Sequence, residues 1–267
     1  GEPRQNTMKT IAIANQKGGV GKTTIARNLA FFGIEHGLNV LCVDLDPQRN
    51  FSKTIRAARE RAIGDTGENL PALMASHLFE GTPVKRQPLN CGDLLALVAA
   101  DRELVDVAAR PLDELHEPRA ALGSFSGTYD LCLIDTAPTL GNPLYAALIA
   151  ADFVVCPCTM DQDAIDGLND LFEDVARVQQ LAWNPDLVML GMLANRVNIR
   201  RAFDRNALAQ LRNELGEAML DAVLYDRAAT QYAKDRPVWR IQSGESQKLA
   251  AREMKAVCGE IFSKAGL

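Results

Sequence analysis

Residues 16–23 read QKGGVGKT and come directly after a short apolar run. A phosphate-binding loop usually reads G-x-x-x-x-G-K-[ST], so a glutamine stands at the first glycine and an additional lysine, Lys17, follows it. The glycines of such a loop let the backbone turn its amides toward phosphate oxygens. Lys22 would then reach the β- and γ-phosphates, and the Thr23 hydroxyl would bind Mg²⁺. The predicted nucleotide-binding residues are Gly18, Gly19, Val20, Gly21, Lys22, Thr23 and Thr24.

Acidic residues close two further apolar runs. In DLDPQ (residues 44–48), Asp44 and Asp46 alternate onto the same side of a strand end. Two such acids either cap the following helix or take part in phosphate chemistry, and the pattern alone leaves both interpretations open. Asp135 follows four apolar residues in YDLCLIDTAP, where a strand opens into the site. A carboxylate at that point is predicted to hold Mg²⁺ or its waters.

Asn195 closes another apolar run, LVMLGMLAN. Its amide is predicted to pair with a purine edge, and an ordinary turn residue is the alternative. The tetrad N-K-x-D that reads guanine does not occur at residues 195–198, which read NRVN. The sequence therefore favours ATP over GTP as the nucleotide.

The elements that must position these residues alternate along the chain. Near-continuous apolar runs predict strands buried on both faces, as in a parallel sheet. Helical patterns between them predict right-handed crossovers and a doubly wound, mostly parallel α/β fold, whose ligands bind at the carboxyl ends of strands. The predicted strands are 9–15, 39–46, 94–100, 129–138, 152–158 and 187–196, and the predicted helices include 22–36 and 161–181.

The organisation of the chain is predicted to be simple. No linker, charge block or repeat divides the 267 residues, so residues 9–267 are expected to form one domain preceded by a flexible extension, residues 1–8. Charges interrupt every apolar stretch well before the ~18 residues that a membrane span needs. The six cysteines mostly lie in strand-like runs and are expected to be free, buried thiols in a reducing cytoplasm.

Residues 17–24, KGGVGKTT, resemble the loop of the ParA/MinD family of deviant Walker-A ATPases, and DLDPQ and IDTAP match further motifs of that family. The resemblance implies that Lys17 contacts the nucleotide of a partner subunit across a face-to-face homodimer. It assigns catalytic roles to Lys17, Lys22 and Asp46, with Asp46 positioning the attacking water. The implied metal residues are Thr23, Asp44 and Asp135. One departure is Arg49, where the family usually has glycine after DPQ.

The function implied by the resemblance is that of a Mg²⁺-dependent ATPase with ATP/ADP as cofactors. ATP would drive a dimer that binds DNA without sequence preference, and a ParB-like centromere-binding protein or an adaptor would stimulate hydrolysis. The loop lies so near the first residue that no amino-terminal helix-turn-helix domain is expected, as in the short ParA proteins. The expected location is the bacterial cytoplasm, in association with the nucleoid.

The charge distribution bears on DNA. The net charge is −5, yet residues 196–240 carry nine basic and six acidic side chains. A basic segment on an acidic protein favours electrostatic binding to phosphates, and an ordinary solvated face is the alternative. The predicted DNA-binding residues are Arg200, Arg201, Arg205 and Arg227.

Two other functions share the same chemistry. One is a ParA-like ATPase that positions a protein cluster or other cargo instead of DNA. The other is a MinD-like division-site regulator that binds membrane through a terminal amphipathic helix. The carboxy-terminal stretch 245–267 has an apolar stripe, but such a stripe is more often core packing, and Glu253 and Glu260 disfavour a lipid surface. No membrane partner is therefore expected.

Overall fold

The computed structural model describes residues 7–138, 141–241 and 244–267, so most of the predicted extension lies outside the described residues. Its centre is a seven-stranded sheet in the order β3-β4-β2-β5-β1-β6-β7, in which every neighbouring pair is parallel except β3 and β4. The strands are β1 (Lys9–Ile13), β2 (Val40–Leu45), β3 (Leu89–Gly92), β4 (Leu95–Val98), β5 (Leu131–Thr136), β6 (Phe153–Cys158) and β7 (Val188–Ala194).

Helices cover both faces of this sheet. The α-helices are α1 (Lys22–Glu35), α2 (Asn50–Ile63), α3 (Glu117–Gly123), α4 (Asn142–Ala150), α5 (Gln162–Gln180), α6 (Ala202–Leu215), α7 (Ala228–Tyr232) and α8 (Glu245–Ala265). Short 3-10 helices are Ala75–Phe79, Arg102–Ala109, Leu112–His116, Gly216–Ala218 and Val238–Arg240. The predicted doubly wound fold and its parallel strands are confirmed. The antiparallel edge strand β3 was not predicted, because its sequence LNCG is only four residues long and its alternation is too short to distinguish it from a loop.

The apolar strands explain why two separate cores form. Every residue of β2 and β5 is buried, so each strand packs side chains against helices on both faces. One core lies between the sheet and α1, α2 and α8, and contains Ile25, Phe51 and Met254. The other lies between the sheet and α3, α4, α5 and α6, and contains Leu144 and Leu168.

The strand register brings the polar residues to one edge of the sheet. Asp44 of β2 lies beside Asp135 of β5, and Asp135 lies beside Ile13 of β1. The phosphate loop starts directly after β1. The loop and both acids therefore meet at the carboxyl end of the central strands, where ligands bind in open α/β sheets.

Asn184 provides a test of how the second core is held. Its side chain is 2 % exposed, and its Nδ2 donates to the carbonyls of Leu148 (2.9 Å) and Ala151 (2.6 Å) at the end of α4. The Asn184→Ala variant leaves these buried carbonyls without that donor, so its free energy of unfolding in urea should fall by about 1–3 kcal/mol. The exposed Asn169 on α5 is the control, and Asn169→Ala should change the value by about 0.5 kcal/mol at most. Equal losses in both variants would contradict this role.

Candidate nucleotide site

The loop folds around the ammonium group of Lys22. Lys22 is 7 % exposed, and its Nζ donates to the carbonyls of Asn15 (3.0 Å) and Lys17 (3.1 Å). Burial lowers the pKa of Lys22, and the nearby carboxylates of Asp135 and Asp46 oppose that shift. The ammonium of Lys22 is largely withdrawn from water and is held by the carbonyls of the loop. In that position it can serve as the counter-ion of phosphate oxygens.

Two glycines of the loop have left-handed backbone. Gly19 has φ +74° and Gly21 has φ +94°, which L side chains rarely adopt. At Gly21 there is also no space, because an added Cβ would lie 2.2 Å from Nδ2 of Asn195. Asn195 in turn donates from Nδ2 to the Val20 carbonyl (2.8 Å) and accepts at Oδ1 from the backbone N–H of Arg196 (2.9 Å). The amide of Asn195 thus braces the loop, and its predicted contact with a purine edge stays a prediction.

Asp135 and Thr23 form the second part of the site. The Thr23 hydroxyl donates to Oδ2 of Asp135 at 2.6 Å, whereas the buried Oδ1 has no hydrogen-bond partner in the described part of the chain. Burial, followed by the charge of Asp44, raises the pKa of Asp135 well above its usual range. A buried carboxylate oxygen that lacks a hydrogen-bond partner is suited to bind a cation.

The oxygen ligands at this site suit Mg²⁺ better than a metal ion whose ligands all come from the protein. Within residues 7–138, 141–241 and 244–267, no group of three or more His, Cys, Asp and Glu side chains forms a metal cage. Mg²⁺ usually takes only one or two protein carboxylates and fills its other positions with substrate phosphates and water. The hydroxyl of Thr23 and the carboxylate of Asp135 meet that description.

Asp44 and Asp46 have different surroundings. Oδ2 of Asp44 accepts from the backbone N–H (2.8 Å) and the hydroxyl (2.7 Å) of Ser52, and Oδ1 accepts from the backbone N–H of Asp46 (3.0 Å). Burial raises the pKa of Asp44 to about 6. Asp44 thus joins the end of β2 to the start of α2, as in the capping interpretation, and its support of Mg²⁺ stays a prediction. Asp46 accepts from the backbone N–H of Gln48 (2.9 Å) and lines the cavity described below.

The departure at Arg49 has a backbone explanation. Arg49 has φ +60° and is the residue immediately before α2. Glycine adopts this left-handed conformation without a steric cost, which explains why a glycine is usual there in the resembling family. The chain keeps the turn although arginine fits it less well, and the Arg49 side chain lines a separate cavity with Lys53 and Arg56.

A cavity of about 480 Å³ brings the loop together with three further predicted residues, Asp46, Asn195 and Arg227. This volume lies in the range of about 300–1,000 Å³ that is usual for small-molecule sites. Its lining combines loop backbone, acids and the segment before α7. The residues are Gly18, Gly19, Val20, Gly21, Lys22, Thr23, Thr24, Asp46, Gln48, Asn50, Pro138, Asn195, Arg196, Tyr225, Asp226, Arg227, Thr230 and Gln231.

The two lysines of the loop point in different directions. Whereas Lys22 bends into the loop, Lys17 extends its Nζ to Oδ2 of Asp163 at 2.9 Å, in the first turn of α5. The Lys17 side chain is 38 % exposed and that of Asp163 is 78 % exposed. The hydrogen bond that Lys17 donates to Asp163 raises the pKa of Lys17. The ammonium of Lys17 therefore lies on the outside of its own loop.

The four predicted DNA-binding arginines have different surroundings. Arg227 donates from Nε (2.9 Å) and Nη2 (2.6 Å) to Glu253 of α8, so its charge is already paired. Arg200 lies beside Arg227 in a small cavity of about 380 Å³. Arg201 lies in another cavity next to the loop glycines, and Arg205 donates to the Ile199 carbonyl at 2.6 Å. Their role in DNA binding stays a prediction, and it has least support at Arg227.

Three side chains that hold predicted residues from outside the nucleotide cavity were missed in the sequence. Ser52 holds Asp44, Asp163 holds Lys17, and Asp174 holds Gln16. Asp163 and Asp174 are 146 and 158 residues from their partners. No local pattern marks such pairs, although Ser52 was within reach of a search for helix-start residues after DLDPQ.

The fold and the site together define a P-loop nucleotide-binding protein with a doubly wound sheet. A family model described as an AAA domain matches residues 8–189. Protein IncC of Escherichia coli is 33 % identical over 98 % of this chain and 71 % of its own length. The chromosome-partitioning ATPase Soj of Thermus thermophilus is 34 % identical over 81 % of each chain. The chain belongs to the ParA/MinD family of P-loop ATPases, as the loop motif predicts.

A solved structure supports the predicted cofactors. Cobyrinic acid a,c-diamide synthase of Mycobacterium smegmatis, solved with ADP and magnesium, is 26 % identical with a TM-score of 0.73 and covers 97 % of both chains. The nucleotide and the metal in that structure agree with the predicted cofactors, ATP/ADP and Mg²⁺.

Gly21 provides the sharpest test of the loop. In Gly21→Ala the methyl group would collide with Asn195, and the left-handed backbone would cost about 1–2 kcal/mol. Binding of a fluorescent ATP analogue should weaken by about tenfold or more. The control is Gly259→Ala in α8, where an added Cβ meets nothing within 4 Å, and it should bind normally. Normal binding by Gly21→Ala would contradict the loop geometry described here.

Proposed function

We propose that this protein is a Mg²⁺-dependent ATPase of DNA partition, which forms an ATP-bound homodimer and binds DNA without sequence preference. A ParB-like centromere-binding protein or an adaptor stimulates hydrolysis and releases the dimer. Residues 9–267 act as a single domain in the bacterial cytoplasm, in association with the nucleoid. The name of Soj, a chromosome-partitioning ATPase, supports this assignment.

One observation carries the proposal: the loop has two lysines, and only one faces its own site. Lys22 is enclosed by loop carbonyls, whereas Lys17 reaches outward to an exposed carboxylate. An exposed ion pair of this kind contributes about 0–1 kcal/mol, so a stronger anion easily displaces Asp163. The phosphates of a nucleotide held by a second copy of the chain supply such an anion.

The chemistry of the site is positioning and charge stabilisation, which is what phosphoryl transfer needs. The loop amides and Lys22 bind the β- and γ-phosphates. Asp46 lines the same cavity, and within the described residues its carboxylate accepts only the backbone N–H of Gln48, at Oδ1, so that Oδ2 is available to orient a water. Mg²⁺, held by Thr23 and Asp135, supplies further charge neutralisation at the phosphates.

The structure disfavours the membrane alternative. The stripe of α8 is packed in the core, and Met254, Val257 and Ile261 are 0 % exposed. No helix among the described residues is long and apolar enough to cross a membrane. A helix that binds lipid needs its apolar face free. The positioning of a protein cluster is the second candidate, since it uses the same ATPase and differs only in the partner.

The variant Lys17→Ala tests the dimer. It should bind ATP within about threefold of the wild-type affinity, because Lys22 and the loop amides remain. It should not form a dimer with ATP in sedimentation experiments, because the partner's phosphates lose their counter-ion. Lys264→Ala, which removes an exposed lysine of α8, is the control and should dimerise normally. An ATP-dependent dimer of Lys17→Ala would disprove the role between subunits.

The variant Arg200→Glu tests DNA binding. It should weaken ATP-dependent binding to every DNA sequence alike and reduce the log–log salt slope by about 0.9 for each lost phosphate contact. Arg227 is unsuitable for this test, because its substitution also leaves Glu253 unpaired. The control Arg86→Glu changes an exposed arginine just before β3, at the opposite edge of the sheet from β7. Equal binding with ATP and ADP, or equal effects of both variants, would contradict DNA as the partner.

A further inference from the structure

Gln16 takes the place of a loop glycine, and no phosphate contact needs its side chain. Its Nε2 donates to Oδ2 of Asp174 at 2.6 Å. Asp174 lies in α5 and is 4 % exposed, so the acceptor of this partly buried hydrogen bond is largely shielded from water. A hydrogen bond to a buried carboxylate is stronger than one between neutral groups. The entrance of the loop is therefore attached to α5.

The other oxygen of Asp174 holds a different element. The hydroxyl of Tyr145, in α4, donates to Oδ1 of Asp174 at 2.7 Å. Arg177 donates from Nη1 to the Tyr145 oxygen at 2.9 Å and lies 3.9 Å from Asp174. Burial and the hydrogen bond to Asp174 raise the pKa of Tyr145, so the phenol stays a donor at neutral pH.

One face of α5 meets the loop entrance at three points. Asp163, Gly167 and Asp174 are spaced by four and seven residues and thus share a helix face. Gly167 permits the close approach, because a Cβ there would lie 3.1 Å from Oδ1 of Asn15 and 3.7 Å from the Lys17 backbone. Asp163 and Asp174 hold Lys17 and Gln16 by hydrogen bonds, and Gly167 leaves room for Asn15.

Helix α4 is connected to the nucleotide cavity from the other side. It is the first helix after β5, the strand that carries Asp135, and Pro138 of the intervening segment lines the cavity. Tyr145 is in the first turn of α4. Asp174 therefore joins the loop entrance to the helix that follows the strand of Asp135.

We propose that Asp174 is a positioning residue that couples the loop entrance to α4 through Gln16 and Tyr145, so that α4 and the loop respond together to the γ-phosphate. The proposal rests on the proposed ATP-binding function. It also gives a role to the side chain of Gln16, which no phosphate contact needs.

The chain contains an optical reporter of this coupling. The rings of Tyr145 and Trp183 are edge to face with centroids 6.1 Å apart. The second of the two tryptophans, Trp239, donates to Glu35 on the other face of the sheet. In a Trp239→Phe background, tryptophan emission reports only on Trp183 and hence on the position of Tyr145.

The experiment compares Trp183 emission with Mg²⁺-ATP and Mg²⁺-ADP in that background. The reference protein should give different emission with the two nucleotides. Asp174→Asn retains only one acceptor oxygen, whereas Gln16 and Tyr145 each donate a hydrogen bond. The difference in emission between ATP and ADP should therefore fall by about threefold or more. Nucleotide affinity should change by less than about threefold. Tyr145→Phe keeps the ring beside Trp183 and removes only the hydroxyl, and it should show the same loss. Asp170→Asn, at an exposed acid of α5, is the control and should keep the full difference.

The outcomes separate this proposal from the proposed function. If the reference protein binds neither nucleotide, the proposed function is wrong, and the coupling is wrong with it. If the reference protein binds both but gives equal emission, or if Asp174→Asn or Tyr145→Phe keeps the full difference, only the coupling is wrong. If Asp174→Asn does not fold, as judged by thermal unfolding without nucleotide, Tyr145→Phe and Gln16→Ala decide the question by the same criterion.

Discussion

The buried carboxylate of Asp135 is the constraint on which the rest of the site depends. It lies at the end of a central strand, and the sheet register sets Asp44 directly beside it. Burial raises the pKa of both acids, and the charge of Asp44 raises the pKa of Asp135 further. The hydroxyl of Thr23 and the ammonium of Lys22 offset part of this cost. The strand, the loop and the start of α1 must therefore all be in place together.

The sheet order explains why the two lysines of the loop lie on different sides. β1 lies between β5 and β6, so the loop that follows it has Asp135 on one side and α5, which follows β6, on the other. Lys22 is directed toward the acid side and Lys17 toward the α5 side. A loop of the usual pattern has a single lysine, whereas here the second is anchored by a helix that also holds Gln16.

The relatives show why fold and function have to be argued separately. A synthase that carries ADP and magnesium shares this fold, as does a chromosome-partitioning ATPase. The fold accounts for the nucleotide cavity, and the function follows from side chains around it. The pairing of Arg227 with Glu253 is an example, because it gives a charge that the sequence assigned to DNA a partner within the chain.

The sequence by itself determined the loop, the parallel strands, the acids at strand ends and the family. These features are local, since a loop motif or a buried strand is written in consecutive residues. Only the tertiary structure decided that Asn195 braces the loop at the Val20 carbonyl and that Asp174 joins Gln16 to Tyr145. Such contacts join residues far apart in the chain, 158 residues in the case of Gln16 and Asp174. Their geometry exists only once the strands are in register and the helices are packed on the sheet.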